Sequence, residues 1–161
     1  MYDDANRLIS ASNALGVTTF TFNGLGDRLQ ETSNEQTIPF TVDLAAGLTQ
    51  TLDDGAHAYL SGYGRIAQVN ATTTQYFLGD ALGSVRQLAD ASGAVMLAKI
   101  YDPYGVVSAT SGAGDTNYGY TNEYQDSYIK LIYLRSRFLS RIAHALHDLR
   151  ETLDNLFYPV T

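Results

Sequence analysis

Short apolar and polar stretches alternate along most of this chain, and turns with one recurring local sequence separate them. Asp is followed three positions later by Gly at residues 80–83, 90–93 and 102–105. Asp favours the first position of a type I turn, Pro suits the second, and Gly at the fourth closes a hairpin through a bulge. The spacing between turns leaves room for one short strand. The predicted turn residues are Asp80, Gly83, Asp90, Gly93, Asp102, Pro103 and Gly105.

The stretches between these turns have the composition of strands. Residues 84–89 and 94–101 carry aliphatic and β-branched side chains without helical spacing. The whole chain has 12 Tyr, 6 Phe and 14 Gly but only 3 Pro, a balance typical of short strands joined by glycine turns. We therefore predict a mainly β fold, an antiparallel hairpin meander. Residues 106–117 are small and polar, which predicts a loop.

A second signature recurs about every twenty residues in the first half of the chain. Residues 2–8 read Tyr-Asp-x-x-Asn-Arg-Leu, and residues 22–29 read Phe-Asn-x-x-Gly-Asp-Arg-Leu. Degenerate copies begin at Phe40 and Tyr59. We expect the aromatic residue to pack on the sheet, the turn residues to reverse the chain, and the Arg stem to cover a neighbouring strand. A single hairpin is marginally stable, so stacking has to stabilise the repeats.

The apolar pattern changes to a helical period near the C-terminus. The spacing of four, three, four and three predicts one helical stripe formed by Ile142, Leu146, Leu149, Leu153 and Leu156. Ser140 suits the N-cap of this helix and Pro159 suits its end. We divide the chain into a β region, residues 1–139, and an amphipathic helical tail, residues 140–161. The tail is expected to dock on the tyrosine-rich sheet of its own chain, the alternative being a short coiled coil with the same helix of a second chain.

Three stretches in the second half carry a family resemblance. Residues 76–86 read Tyr-Phe-Leu-Gly-Asp-Ala-Leu-Gly-Ser-Val-Arg, residues 101–105 read Tyr-Asp-Pro-Tyr-Gly, and residues 131–137 read Leu-Ile-Tyr-Leu-Arg-Ser-Arg. In this order they resemble the core segment of the RHS/YD-repeat family, with its Tyr-x-x-Asp-x-Leu-Gly-Ser-x-Arg, Tyr-Asp-Pro-Tyr-Gly and Tyr-Leu-Arg-Ala-Arg motifs. The signature at residues 2–8 is similar to the Tyr-Asp-x-x-Gly-Arg-Leu repeat of the same family.

The resemblance implies part of a large secreted or cell-surface β-shell, which in toxins encloses a C-terminal effector. About five or six hairpins are too few to close such a shell. We therefore expect a non-enzymatic structural fragment whose partners are the rest of the shell or an enclosed effector. The resemblance transfers no catalytic residue, because Asp102-Pro103 is the only Asp-Pro pair and the later Asp-Pro-x-x-Gly turn of the family is missing.

Charge and composition exclude several other classes of function. The chain has 161 residues, a length that suits one domain, and a net charge of −7 with a pI near 4.7. Nucleic acid and anionic membranes are therefore unsuitable partners. The apolar runs are too short to span a membrane. There is no cysteine, and the start Met-Tyr-Asp-Asp is not a signal peptide, so export depends on the larger protein.

Candidate chemistry is sparse, and no cofactor is predicted. His144, His147, Asp148 and Glu151 share one face of the predicted helix and are candidate zinc ligands, although a solvated polar face explains them as well. A pair of carboxylates among Asp80, Asp90, Asp102 and Glu123 is a second candidate, for glycoside hydrolysis. The turn role already explains the three aspartates.

A cluster of aromatic residues suggests an alternative binding function. It consists of Tyr118, Tyr120, Tyr124, Tyr128 and Tyr133. Such rings stack on sugars in a carbohydrate- or cell-surface-binding module, whereas in a sheet protein they form cross-strand and core contacts. The packing role is the simpler of the two explanations.

Overall fold

The computed structural model describes residues 1–135 and 137–140, and antiparallel strands dominate this part of the chain. Two compact units are present. The first combines Met1–Ile38 with the described part of Gln125–Thr161, and the second is Pro39–Tyr124. The first unit therefore joins the beginning of the chain to residues 125–135 and 137–140.

The first unit begins with a four-stranded sheet in the order β1-β2-β3-β4. Its strands are β1 (Ser10–Asn13), β2 (Gly16–Phe22), β3 (Arg28–Ser33) and β4 (Gln36–Pro39). The signature residues bend the chain before β1 and between β2 and β3. Asn6 has a φ of +59°, so Asn supplies the left-handed residue in the first copy. Gly26 supplies it in the second, with a φ of +94°.

The second unit contains an eight-stranded meander in which each strand pairs with its neighbours in sequence. The first four strands are β5 (Thr41–Asp43), β6 (Gln50–Asp53), β7 (Ala58–Ser61) and β8 (Arg65–Val69). The other four are β9 (Thr74–Gly79), β10 (Val85–Ala89), β11 (Val95–Tyr101) and β12 (Val107–Gly112). The prediction of a mainly β, antiparallel hairpin fold is confirmed.

A third sheet completes the described chain, in the order β13-β14-β15. Its strands are β13 (Tyr124–Gln125), β14 (Leu131–Tyr133) and β15 (Phe138–Ser140). Side chains from this sheet and from the first one form the core of the first unit. The buried residues of that core are Leu8, Ala11, Phe20, Ile129, Leu131 and Phe138.

Two segments differ from the sequence-based expectation. Residues 107–112 of the predicted loop form β12. Their small side chains do not indicate a strand, but their backbone pairs with β11 through hydrogen bonds. Ser140, the predicted N-cap of the helical tail, is the last residue of β15 and pairs with Leu131. The rest of the predicted tail, with its apolar stripe, lies outside the described residues. Among residues 1–135 and 137–140, the structure contains no helical segment with the length and hydrophobicity that a membrane span requires.

The three Asp-x-x-Gly sequences form turns of one geometry. The backbone oxygen of each aspartate accepts the N–H of the glycine three residues later. The distances are 2.9 Å at Asp80, 3.0 Å at Asp90 and 3.1 Å at Asp102. Each aspartate Oδ1 also accepts the N–H groups two and four residues on, at 2.8 to 3.0 Å. The carboxylates therefore hold the turns together and are committed to backbone groups.

Candidate functional site

One face of the eight-stranded sheet is buried by its own unit. The strand register places Tyr59 opposite Gln68, and Leu88 opposite Leu97, on this covered face. All four side chains are buried, and Leu88 has no exposed surface. The cover is the stretch of residues 114–124, which we call the covering segment.

Polar contacts attach the covering segment to the sheet. Gln68 Nε2 donates to the backbone oxygen of Asp115 at 2.6 Å, and the Val85 N–H donates to the Gly119 oxygen at 2.9 Å. The Thr121 N–H donates to Ser84 Oγ at 3.0 Å. Because several elements contribute, the segment is attached along its length. Its apolar rings then exclude water from the covered face.

A half-buried arginine lies between two tyrosine rings at the centre of this arrangement. The guanidinium carbon of Arg65 lies 4.5 Å from the ring centre of Tyr59 and 3.5 Å from that of Tyr118. Tyr59 Oη donates to Asp54 Oδ2 at 2.5 Å, and Asn117 Nδ2 donates to the same oxygen at 3.0 Å. Arg65 is the arginine of the fourth signature copy. Arg65 therefore covers Tyr59 of the neighbouring strand β7, as expected, and also contacts Tyr118 of the covering segment.

The electrostatics of this cluster keep Tyr59 protonated as a hydrogen-bond donor and Arg65 positively charged. Burial, and next the negative charge of Asp54, raises the pKa of the Tyr59 hydroxyl well above its usual value. Tyr59 therefore stays a neutral donor to Asp54. Burial lowers the pKa of the Arg65 guanidinium, while the facing tyrosines oppose this change. Arginine still keeps its charge in proteins, so cation–π contact stabilises the cluster.

The same pairing of arginine with an aromatic ring recurs in the first unit. Arg7 lies 5.3 Å from the ring centre of Phe22 and donates from Nη1 to the Asn23 oxygen at 3.0 Å. Arg28 lies 4.3 Å from the ring centre of Tyr133 and forms a buried ion pair with Glu31 at 3.2 Å. Each signature arginine thus connects its own turn to a neighbouring element.

The opposite face of strands β7 to β11 carries exposed apolar side chains. One register row across β7 to β11 consists of Leu60, Ala67, Tyr76, Ala89 and Val95. We call this surface the open face. Leu60 is 56% exposed and Tyr76 is 41% exposed, whereas Ala67 and Ala89 are buried. The next row begins with Leu78, Gln87 and Ala98, and neither row contains a charged residue.

The predicted aromatic cluster is divided between the two units and is largely committed to packing. Tyr118 and Tyr124 are buried, with ring centres 5.8 Å apart and edge-to-face geometry. Tyr120 Oη donates to the Pro103 oxygen at 2.8 Å. Tyr133 packs on Phe138 with ring centres 5.0 Å apart, and Tyr128 is half-buried. These positions fit the packing role better than an exposed sugar-binding surface.

The described residues assemble no metal cluster. No group of three or more His, Asp or Glu side chains there is arranged to hold a metal ion. The zinc candidates His144, His147, Asp148 and Glu151 lie outside the described residues. The sequence did not predict the hydrogen bond from Asn117 to Asp54. The two residues are 63 positions apart, so no local pattern indicates this contact.

The comparisons with known proteins concern the fold. The crystal structure of TcdB2-TccC3-TEV matches 89% of this chain and 8% of its own, with a TM-score of 0.62 and 13% identity. The Photorhabdus luminescens Tc holotoxin pore with a mutated TccC3 matches 88% of this chain and 8% of its own, with a TM-score of 0.63 and 18% identity. The described chain has the β fold of these Tc toxin chains.

This likeness supports the RHS-like β fold that the sequence resemblance implies. No family model and no curated protein matches the sequence. The chain spans about 8% of the length of the solved chains it matches. At these identities the likeness concerns the fold alone.

Proposed function

We propose that this chain is a non-enzymatic wall segment of a larger RHS-type shell that encloses or displays an effector polypeptide. The carrying observation is the two-faced sheet of the second unit. Its covered face is packed by the covering segment, while its open face exposes Leu60, Tyr76 and Leu78 without a charged residue in their rows. Exposed apolar patches of this kind mark interaction surfaces. An unfolded polypeptide chain offers matching apolar groups.

The non-enzymatic part of the proposal is supported by how the acids are used. Asp80, Asp90 and Asp102 are bound by backbone N–H groups of their own turns.

The matched chains are components of toxin complexes, so we also propose that the shell is secreted or lies at the cell surface. A carbohydrate-binding module is less well supported, because Tyr118 and Tyr124 are buried. A glycan array on the purified chain tests it.

The wall proposal is tested with an unfolded model polypeptide, reduced and carboxymethylated α-lactalbumin. We expect the purified chain to bind it, and the double substitution Leu60→Lys with Leu78→Lys to weaken binding by about tenfold or more, as for central apolar contacts. The matched control is Leu15→Lys with Leu25→Lys, which adds the same charge at two exposed leucines in the other unit. Fluorescence anisotropy measures binding and thermal unfolding checks the fold. Equal loss in the control, or no binding by the unmodified chain, contradicts the proposal.

A further inference from the structure

A tight turn lies at the end of the covering segment, at residues 119–123, and we call this turn the lid. Buried Tyr118 and Tyr124 pair across its base, and their rings pack edge to face. Because the base is held in this way, the chain has to reverse its direction within the few residues between these two tyrosines. A reversal this short requires residues that tolerate the left-handed region.

The lid places a β-branched residue in that region. Thr121 has a φ of +52°, and Asn122 has a φ of +59°. Asparagine tolerates this conformation, whereas the branched Cβ of a threonine crowds the backbone there. Among the described non-glycine residues with a positive φ, Thr121 is the one with a β-branched side chain. The closed lid is therefore under backbone strain.

A buried acceptor adds to the cost of the closed lid. Asn122 Oδ1 is buried and has no hydrogen-bond partner among the residues that the structure describes. A buried polar atom without a partner is unfavourable, because in water the same atom would be hydrogen-bonded. Opening of the lid relieves both the strain at Thr121 and this unpaired acceptor.

Two hydrogen bonds to the sheet hold the lid closed against these costs. The Thr121 N–H donates to Ser84 Oγ at 3.0 Å, and the Val85 N–H donates to the Gly119 oxygen at 2.9 Å. Ser84 has no exposed surface, and Val85 is 2% exposed. The closed lid thus hides a serine hydroxyl and a backbone donor of an inner strand.

We propose that the lid is a strained, reversible closure, which detaches from Ser84 and Val85 while the eight-stranded sheet stays folded. Strained backbone is typical of segments that switch, and local opening requires less free energy than global unfolding. Tyr118 and Tyr124 keep the base in place, so the residues between them leave the sheet as one unit. The open state makes the Ser84 hydroxyl and the Val85 N–H accessible, which gives the fold a closable access point at this end of β10.

Native-state hydrogen exchange of the purified chain, followed by NMR at low urea concentrations, measures this opening. We expect the Val85 and Thr121 amides to exchange together with a weak dependence on urea, because the opening exposes little surface. The Leu88 amide belongs to the same strand as Val85 and serves as the reference. It should exchange more slowly, with the full urea dependence of global unfolding.

Two substitutions are expected to shift the lid in opposite directions. Thr121→Gly removes the strain and should slow exchange of the Val85 amide by about fivefold or more. Ser84→Ala removes the acceptor of the Thr121 N–H and should speed this exchange by about fivefold. The matched control is Thr110→Gly on the exposed strand β12, which makes the same replacement in extended backbone and should leave Val85 exchange unchanged.

Several results would overturn the proposal. If the Val85 and Thr121 amides exchange only together with Leu88, the lid opens only when the whole unit unfolds. Unchanged Val85 exchange in Thr121→Gly, or equal slowing in Thr110→Gly, excludes strain at Thr121 as the cause of opening. Should Ser84→Ala fail to fold, the comparison of Thr121→Gly with the unmodified chain decides alone. These measurements do not involve the open face, so their outcome is independent of the wall proposal.

Discussion

The turns at residues 90–93 and 102–105 have the same local structure and different surroundings. Both begin with an aspartate, and Gly93 and Gly105 both have a φ of +85°. A Cβ on Gly93 would meet open space, whereas a Cβ on Gly105 would lie 2.6 Å from the Tyr120 ring. At residues 90–93 glycine is therefore required only for the left-handed backbone conformation of Gly93. The second also serves as the surface on which the covering segment rests.

Substitution of Gly105 is expected to have the largest effect. Gly105→Ala places a methyl group both in the left-handed region and against the Tyr120 ring, and we expect a loss of about 2–4 kcal/mol in the free energy of unfolding. Urea unfolding measures it. In a Tyr120→Ala background the same substitution should cost only about 1 kcal/mol. Additive effects in this double-mutant cycle would show that the ring and the glycine are not coupled.

Substitution of Gly93 isolates the conformational requirement. Gly93→Ala meets no neighbouring atom, so the left-handed backbone alone should cost about 1 kcal/mol. Urea unfolding of this variant beside Gly105→Ala compares the two turns directly. An equal loss in both variants would remove the tertiary contact from the explanation.

The Tyr120 hydroxyl is expected to make a smaller contribution. Tyr120→Phe removes the donor to the Pro103 oxygen and keeps the ring over Gly105, which should cost about 0.5–1.5 kcal/mol. The matched control is Tyr63→Phe, which changes a fully exposed tyrosine at the tip of another turn. Thermal unfolding compares the two variants, and a larger loss for Tyr63→Phe would contradict the assignment.

Acidification should remove the stability that the Asp90 carboxylate contributes to the turn at residues 90–93. The Ser92 hydroxyl, and next the Ala94 N–H, lowers the pKa of the Asp90 carboxyl. A carboxyl whose pKa is lower in the folded state stabilises the fold above its unfolded pKa, and this contribution disappears as the pH falls through the folded pKa.

Ser92→Ala should therefore raise the pKa of Asp90 and reduce the stability lost on acidification, roughly between pH 5 and pH 2. An NMR titration of the Asp90 side chain measures the pKa directly, and melting temperatures across the same range measure stability. An unchanged Asp90 pKa in Ser92→Ala would exclude the hydroxyl as its main cause.

Local patterns were sufficient to predict the hairpins and their turns. Asp at the first position and a left-handed residue at the fourth determine the turn through bonds within five residues, as at Asp80 and Asp90. They also predicted that a signature arginine covers a neighbouring strand, and Arg65 of β8 lies over Tyr59 of β7. Residues 106–117 misled the prediction, because small polar side chains are equally suited to a loop and to an edge strand whose partner is already present.

What the sequence by itself determined was therefore the local geometry, namely which residues turn and which extend. Only the tertiary structure decided that Asn117 reaches Asp54, that Tyr120 rests on Gly105, and that one sheet face is covered while the other stays open. The reason is physical. A turn is stabilised by groups a few bonds apart, whereas the covering segment is positioned by partners far away in the chain, and no periodicity records which strands it will meet.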